Sequence, residues 1–176
     1  LLEACTKLTE EIDINLLLIG DFIAKEKDYW EQELKKYDFG SRLKITGMNT
    51  REETLAYLPY LDIFAIPSLT DGCPNALLEA MSAGCAIVGS NADAIGEIIE
   101  DGVSGLLVNP ASSEELATAL QYLADKPQLR KELGLAAKMK VEKDLAPEVE
   151  LNNWLSVYEG LLGSPNIVKR AELKVV

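Results

Sequence analysis

The 176-residue sequence contains no histidine, and this absence limits the chemistry available to the chain. Without histidine there is no Ser-His or Cys-His nucleophilic site, and no metal can have a histidine ligand. The three cysteines, Cys5, Cys73 and Cys85, form no Cys-x-x-Cys pair. Because their number is odd, a disulfide framework is not expected, and a reducing compartment is the better prediction.

Basic residues are also scarce, with 17 Lys and Arg against 29 Asp and Glu, for a net charge of −12. Nucleic acids and anionic membranes are therefore poor default partners. No apolar run reaches the roughly 18 residues of a membrane helix. The longest candidate, residues 77–89, is interrupted by Glu79, Ser82 and Gly84. The length fits one globular domain.

Short apolar runs alternate with helical patterns along the chain. The predicted strands are residues 14–19, 43–46, 62–66, 86–88 and 105–108. Between them, capping boxes at Thr50/Glu53 and Ser112/Glu115 indicate helix starts. This alternation predicts an α/β fold, a Rossmann-like parallel sheet with helices on both faces. Ligands are then expected at the carboxyl ends of the strands.

The two ends of the sequence give further predictions. Apolar residues with helical spacing and no preceding cap open the chain, from which we expect a piece of a longer protein. The domain is assigned to residues 1–162, with its first strand missing, and a tail to residues 163–176. Trp30 is predicted to share a helix face with Leu34 and Tyr37. The last helix, from Pro147, is predicted to turn an apolar face inward, formed by Leu151, Trp154, Leu155, Tyr158 and Leu162.

The stretch 68–84, SLTDGCPNALLEAMSAG, is the most informative part of the sequence. Pro74 opens a helix, and the amides of Asn75, Ala76 and Leu77 in its first turn are expected to be unpaired. Together with the helix dipole they favour an anion, phosphate above all. Gly72 lets the backbone approach such a ligand closely.

Glu79 is unusual in this otherwise apolar helix. It lies about 7–8 Å beyond Pro74 along the helix axis, at 1.5 Å per residue. A nucleotide ribose lies at about that distance from its distal phosphate, and a carboxylate can accept hydrogen bonds from two ribose hydroxyls. The alternative is a solvated glutamate bonded to Asn75 one turn earlier.

Cations for a phosphate are missing nearby, because no Lys or Arg occurs between Arg51 and Lys126. They would come from before Leu1, from a partner domain, or from Lys25 and Lys27. The alternative is that no phosphate binds. Glycine-rich nucleotide fingerprints and Asp-x-Asp metal motifs are absent from the sequence.

The segment DGCPNALLEAMSAG resembles the Glu-x7-Glu and Ala-Met-x-x-Gly motif of family 4 retaining glycosyltransferases with the GT-B fold. Asp71 takes the first acidic place and Glu79 the second. LLLIGD and SRLKITG are similar to two strands of the same domain, its carboxy-terminal, donor-binding half. The resemblance implies transfer of a sugar from a nucleoside diphosphate sugar to an acceptor hydroxyl, with no cofactor and no metal.

The resemblance also implies roles for individual residues. In the catalytic pair, Asp71 contacts the transferred sugar and Glu79 holds the ribose hydroxyls. The nucleobase lies along the turn after the second strand, and the backbone around the acidic loop cradles sugar and diphosphate. The implied donor-binding residues are Gly20, Asp21, Gly47, Met48, Asn49, Asp71, Gly72, Cys73, Pro74, Asn75, Ala76, Leu77 and Glu79.

Three departures from the family pattern matter. Asp71 is one methylene shorter than the usual glutamate, and Asp93-Ala94 replaces a common Gly-Gly pair. The family's Arg and Lys pair would lie before Leu1, so this chain by itself is expected to be inactive. The implied partner is an amino-terminal acceptor-binding domain of the same protein, through which alone any membrane contact would arise. The implied location is cytoplasmic, extending to a peripheral position at the inner face of a membrane.

Two other functions stay open at this point. One is a nucleotide-sugar epimerase built on the same two-domain plan. The other is a non-catalytic α/β module that binds a nucleotide or a partner protein. A basic pair upstream in the full-length protein would favour the transferase over the module.

Overall fold

The computed structural model describes residues 1–8, 12–22, 24–37 and 39–162. Strands and helices alternate along the chain, as the sequence predicts. The strands are β1 (Leu16–Leu18), β2 (Leu43–Ile45), β3 (Ile63–Ile66), β4 (Ala86–Ser90) and β5 (Leu106–Val108). The helices are α1 (Leu2–Leu8), α2 (Lys27–Leu34), α3 (Arg51–Tyr57), α4 (Asn75–Ala83), α5 (Asp93–Ile98), α6 (Ser113–Ala124), α7 (Pro127–Asp144) and α8 (Pro147–Leu162).

All the strand ladders are parallel. β1 pairs with β2, and β4 lies between β3 and β5. Within the described residues no ladder joins β1 to β3, so the expected sheet is divided into a pair and a triplet. Leu16 of β1 and Ile63 of β3 nevertheless pack against the same buried cluster, so both parts share a core.

The core lies on both faces of the sheet, and β4 shows why. Its side chains alternate between the faces, as in any strand. Ala86 and Val88 pack with α1 and α6, whereas Ile87 packs with α4, α5 and α7. All three side chains are at most 2% exposed. The chain therefore has a Rossmann-like α/β fold with helices on both faces, as predicted.

Two glycines allow α4 and α7 to approach closely. Gly84 ends α4 in the left-handed conformation, with φ +81°, and its amide donates to the Ala80 and Met81 carbonyls. Gly134 in α7 lies against this turn, and a Cβ atom placed on it would be 2.2 Å from the Gly84 carbonyl oxygen. The absence of a side chain at Gly134 therefore sets the distance between the two helices.

Helix α8 differs from the prediction. It contains no buried residue, and Leu151, Trp154, Tyr158 and Leu162 are each 52–53% exposed. Leu155 is half-buried. The helical spacing correctly indicates an apolar face, but periodicity does not say what covers it, and the inward orientation is wrong for this chain. Predicted tail residues 163–176 lie outside the described residues.

Two local predictions, the extent of α2 and the capping box at α6, are corrected. Helix α2 ends before Tyr37, although Trp30, Leu34 and Tyr37 line the same cavity, as their spacing predicts. Trp30 is half-buried and stacks on Phe22 with ring centroids 5.9 Å apart. At α6, Ser112 caps the Glu115 amide, but the Glu115 carboxylate accepts hydrogen bonds from Asn109 instead of completing a capping box.

The capping box of Thr50 and Glu53 at α3 is confirmed. Among the described helices, none is long and apolar enough to cross a membrane.

Candidate functional site

The predicted site residues follow the carboxyl ends of β1, β2 and β3. Gly20 and Asp21 come after β1, residues 47–49 after β2, and the acidic loop with α4 after β3. Parallel pairing of β1 with β2 puts the first two segments at one edge of their ladder, and the contact of Arg51, after β2, with Glu79 of α4 brings the third segment to them.

Thr46 joins the segments after β1 and β2. Its hydroxyl accepts hydrogen bonds from the Gly20 amide, at 3.0 Å, and from the Asn49 side chain. The Asn49 amide group also donates to the Gly47 carbonyl at 2.9 Å, and Gly20 and Gly47 form an isolated bridge. Three predicted residues therefore meet around a threonine that sequence reasoning missed. Met48, the fourth, is 83% exposed beside them.

Asp21 has a different environment from the residues around Thr46. Its carboxylate accepts a hydrogen bond from the Phe22 amide at 2.8 Å, and the residue lies beside a cavity of about 550 Å³. The cavity is bounded by the start of α1 and by α2, including Trp30. The lining of this cavity includes neither Asp71 nor Glu79.

Several backbone amides of the acidic loop donate hydrogen bonds to acceptors within the same loop. The Asp71 carboxylate accepts a hydrogen bond from the Cys73 amide at 3.1 Å. The Asn75 amide donates to the Cys73 carbonyl at 2.8 Å, and the Leu77 amide donates to the Pro74 carbonyl at 2.9 Å. The prediction of unpaired amides at Asn75 and Leu77 is therefore wrong, because the turn satisfies them locally.

Burial separates the predicted loop residues into two groups. Gly72, Cys73, Asn75 and Ala76 are exposed, so they are accessible from the carboxyl edge of the sheet. Pro74 and Leu77 are buried, and the Leu77 side chain has no exposed surface. Any contribution of Leu77 to binding is thus limited to its backbone.

Hydrogen bonds at Asp93 and Ala94 link the acidic loop to α5. Its carboxylate accepts a hydrogen bond from the Thr70 hydroxyl, and the neighbouring Ala94 amide donates to the Asp71 carbonyl at 3.3 Å. Asp93 adopts φ +41°, a conformation uncommon for a residue with a side chain. The aspartate therefore occupies a glycine-like backbone position and adds a side-chain contact to the loop.

Glu79 forms an ion pair that the sequence analysis missed. The Nε atom of Arg51 donates to Glu79 Oε1 at 3.0 Å. The Glu79 side chain is 23% exposed, whereas that of Arg51 is 74% exposed. The alternative partner considered for Glu79, Asn75, instead accepts from the Cys73 thiol at 3.9 Å. The position of Arg51 in the sequence could have indicated this contact. Arg51 lies two residues after the predicted base-binding turn and is the last basic residue before the stretch that contains no Lys or Arg.

Asp71 and Glu79 are separated by the loop and about one turn of α4, and both are half-buried. Lys25 and Lys27, considered above as cations for a phosphate, lie in the turn before α2 and at its first residue. Among the described residues, Glu79 pairs instead with Arg51. In the described part of the chain, no three acidic or cysteine side chains cluster in a way that could hold a metal.

The cysteines have different environments. All three are free thiols, and Cys73 is exposed in the acidic loop. Burial raises the pKa of the Cys85 thiol to about 11, and this thiol donates to the Leu58 carbonyl at 3.2 Å. Burial also raises the pKa of Cys5. Cys73 is therefore the accessible thiol, and its side-chain contact among the described residues is with Asn75.

Comparison with known proteins gives consistent results. Residues 1–140 match the family described as glycosyl transferases group 1. The amylovoran biosynthesis glycosyltransferase AmsK of Erwinia amylovora is 31% identical over 169 residues, covering 91% of this chain. The match covers 40% of the Erwinia protein, so this chain spans about two fifths of the length of such relatives.

Two solved structures are similar in fold. The C-terminal domain of a glycosyl transferase group 1 family protein (LpcC) from Francisella tularensis gives a TM-score of 0.75 at 27% identity. This match covers 83% of the present chain and 77% of that domain. Anabaena HepE in complex with UDP-glucose gives a TM-score of 0.73 at 22% identity, covering 81% of this chain and 40% of that protein.

Proposed function

The chain belongs to the group 1 glycosyl transferases, and from this premise we propose that it is the donor-binding half of a retaining glycosyltransferase. The full-length protein would move a sugar from a nucleoside diphosphate sugar to an acceptor hydroxyl. The observation that carries the proposal is the half-buried Glu79 carboxylate, which the fold places beside the turn after β2. A carboxylate in this position can accept hydrogen bonds from two ribose hydroxyls.

The assignment of substrate groups follows from this position. The ribose would lie against Glu79 and the nucleobase along Gly47, Met48 and Asn49. The transferred sugar would reach Asp71, whose carboxylate is held by the Cys73 amide. The diphosphate would meet the exposed backbone of the acidic loop. Support for a nucleotide-sugar donor comes from Anabaena HepE, a protein of similar fold whose structure contains UDP-glucose.

Two observations support the assignment to one half of a larger, GT-B type protein. The Francisella domain similar to this chain is a C-terminal domain, and the Erwinia relative is much longer than the match. The exposed apolar side of α8, with Trp154 and Tyr158, is the kind of surface that another domain covers. We place an acceptor-binding domain of the full-length protein there.

Catalysis would depend on positioning and on stabilising charge on the departing diphosphate. No side chain of this half would need to act as a base, and no cofactor would be required besides the donor and acceptor substrates. Arg51 is the single Arg or Lys between residues 45 and 125 of the sequence, and it is paired with Glu79. By the resemblance to the family, the cations that neutralise the leaving diphosphate would be an Arg and Lys pair outside this chain, which by itself would be inactive.

Ligand-observed NMR with UDP, GDP and ADP tests this proposal. We expect weak binding of one nucleotide, with a Kd near millimolar, or roughly −4 kcal/mol. Glu79→Gln should weaken that binding about tenfold, because hydrogen bonds to a charged acceptor are worth roughly 1.5–3 kcal/mol.

Asp62→Asn is the matched control for Glu79→Gln. Asp62 also pairs with an arginine, Arg130, but it lies at the amino end of β3, on the opposite edge of the sheet. This variant should bind as the wild type does. Binding of none of the three nucleotides, or equal binding by wild type and Glu79→Gln, would refute the assignment of Glu79 to the ribose.

A further inference from the structure

We propose that Arg51 is a positioning residue for the donor nucleoside, holding the Glu79 carboxylate in the orientation that receives the ribose hydroxyls. This inference rests on the proposed function, because it assigns Arg51 a role at the same site. The two residues lie on α3 and α4 and are 28 positions apart in the sequence. Their contact links the segment after β2 to the helix after β3.

The backbone of Arg51 is well fixed. Arg51 is the first residue of α3, directly after the N-cap Thr50. The Thr50 hydroxyl accepts from the Glu53 amide at 3.2 Å, and the Glu53 carboxylate accepts from the Thr50 amide at 2.8 Å. On the amino-terminal side of Arg51, the Asn49 side-chain amide donates hydrogen bonds to the Thr46 hydroxyl and the Gly47 carbonyl. These hydrogen bonds therefore fix the position of the Arg51 backbone beside the predicted base-binding turn.

The contact orients Glu79 without blocking it. A carboxylate has about four acceptor positions, and the Arg51 Nε–H occupies one of them on Oε1. The remaining positions can accept two ribose hydroxyls. Fixing the carboxylate in advance removes the cost of ordering a flexible glutamate when the ligand arrives. The guanidinium also reduces repulsion between Glu79 and an anionic nucleotide.

Arg51 is suited to this role by its exposure. Its side chain is 74% exposed, so the pair contributes little to folding stability as a surface ion pair. A role in ligand recognition and a role in folding can therefore be separated by experiment. A positioning effect depends on the ribose hydroxyls, whereas an effect of net charge depends on the diphosphate alone.

The test compares a ribonucleotide with its 2′,3′-dideoxy counterpart, which keeps base and diphosphate but lacks both hydroxyls. The nucleotide is the one among UDP, GDP and ADP that the wild-type chain binds, titrated by ligand-observed NMR. We expect the wild type to prefer the ribonucleotide by about tenfold, the scale of hydrogen bonds to a charged acceptor. Arg51→Gln should reduce this preference to about threefold or less, and Arg51→Lys should restore part of it.

Lys36→Gln provides a charge-matched control. Lys36 forms an ion pair with Glu33 in which the side chains are 62% and 21% exposed, much as in the Arg51 pair. It lies between α2 and the amino end of β2, whereas the predicted base-binding turn follows the carboxyl end of β2. Lys36→Gln should leave the ribose preference unchanged. In the Glu79→Gln background, Arg51→Gln should have no further effect on that preference, since the two residues act as one unit.

Two outcomes would overturn the inference. One is an unchanged ribose preference in Arg51→Gln. The other is equal weakening of both nucleotides, which would mean that the arginine acts through charge alone. Failure of the proposed function gives a different result, because the wild type would then bind no nucleotide or would not distinguish ribose from dideoxyribose.

Discussion

Gly134 offers a direct test of how closely α7 packs against the end of α4. In Gly134→Ala, the new Cβ would lie 2.2 Å from the Gly84 carbonyl oxygen and 3.1 Å from the Gly84 carbonyl carbon. Both are backbone atoms, so no flexible side chain can move aside. The helices would have to separate by about 1 Å, because van der Waals contact needs more than 3 Å.

Two opposing terms decide the sign of this change. Alanine in a helix interior is favoured over glycine by about 0.8–1 kcal/mol. Overpacking of a close-packed contact costs about 1–3 kcal/mol. Because the 2.2 Å clash is with a backbone atom, the overpacking cost should lie in the upper part of this range, about 2–3 kcal/mol. We therefore expect Gly134→Ala to lower the free energy of unfolding by about 1–2 kcal/mol, or the Tm by about 2–8 °C for a domain of this size.

Gly160→Ala is the matched control, because a Cβ at this position of α8 meets nothing within 4 Å. Thermal unfolding of this variant, followed by circular dichroism, should show an unchanged or slightly higher Tm. If Gly134→Ala were as stable as Gly160→Ala, the close approach of α7 to Gly84 would be refuted. The result also concerns the site, since Glu79 is carried by α4.

Three further predictions concern other parts of the chain. Because the pKa of Cys85 is raised from 9.0 to about 11, the folded state binds this proton more tightly than the unfolded state. Urea unfolding should therefore show stability that is retained below pH 9 and lost as the pH rises towards about 11, and Cys85→Ala should remove that loss. Asp93→Ala should lower the Tm more than Asp93→Gly does, since both lose the Thr70 hydrogen bond but glycine tolerates φ +41° without strain; equal values would contradict this account. Trp154→Ala should change the unfolding free energy of this chain by less than about 1 kcal/mol, because the side chain is 53% exposed; a larger loss in urea unfolding would show that α8 packs on the core.

The fold was largely predictable because its signals are local. Apolar runs such as residues 14–19 ended at glycine, and Thr50 with Glu53 marked a helix start that the structure contains. These patterns depend on residues a few positions apart, whose side chains and backbone determine one another directly. Alternation of strands and helices then restricts the sheet to a parallel arrangement.

The site was predictable in part. The sequence placed Gly20, Gly47 and Asn49 at strand ends, and parallel pairing of β1 with β2 brings them together. It did not predict that the loop would pair the Asn75 and Leu77 amides internally. Such pairing depends on loop dihedral angles that neighbouring residue types do not determine.

By itself, the sequence determined the α/β class, the order of the elements and the position of the acidic pair around Pro74. Tertiary structure decided that Arg51 meets Glu79, that Asp93 holds the loop through Thr70, and that the apolar face of α8 is exposed. The reason is the separation in sequence over which each kind of interaction acts. Helical periodicity and capping act between neighbours, whereas contacts over 20 or more positions depend on how whole elements pack.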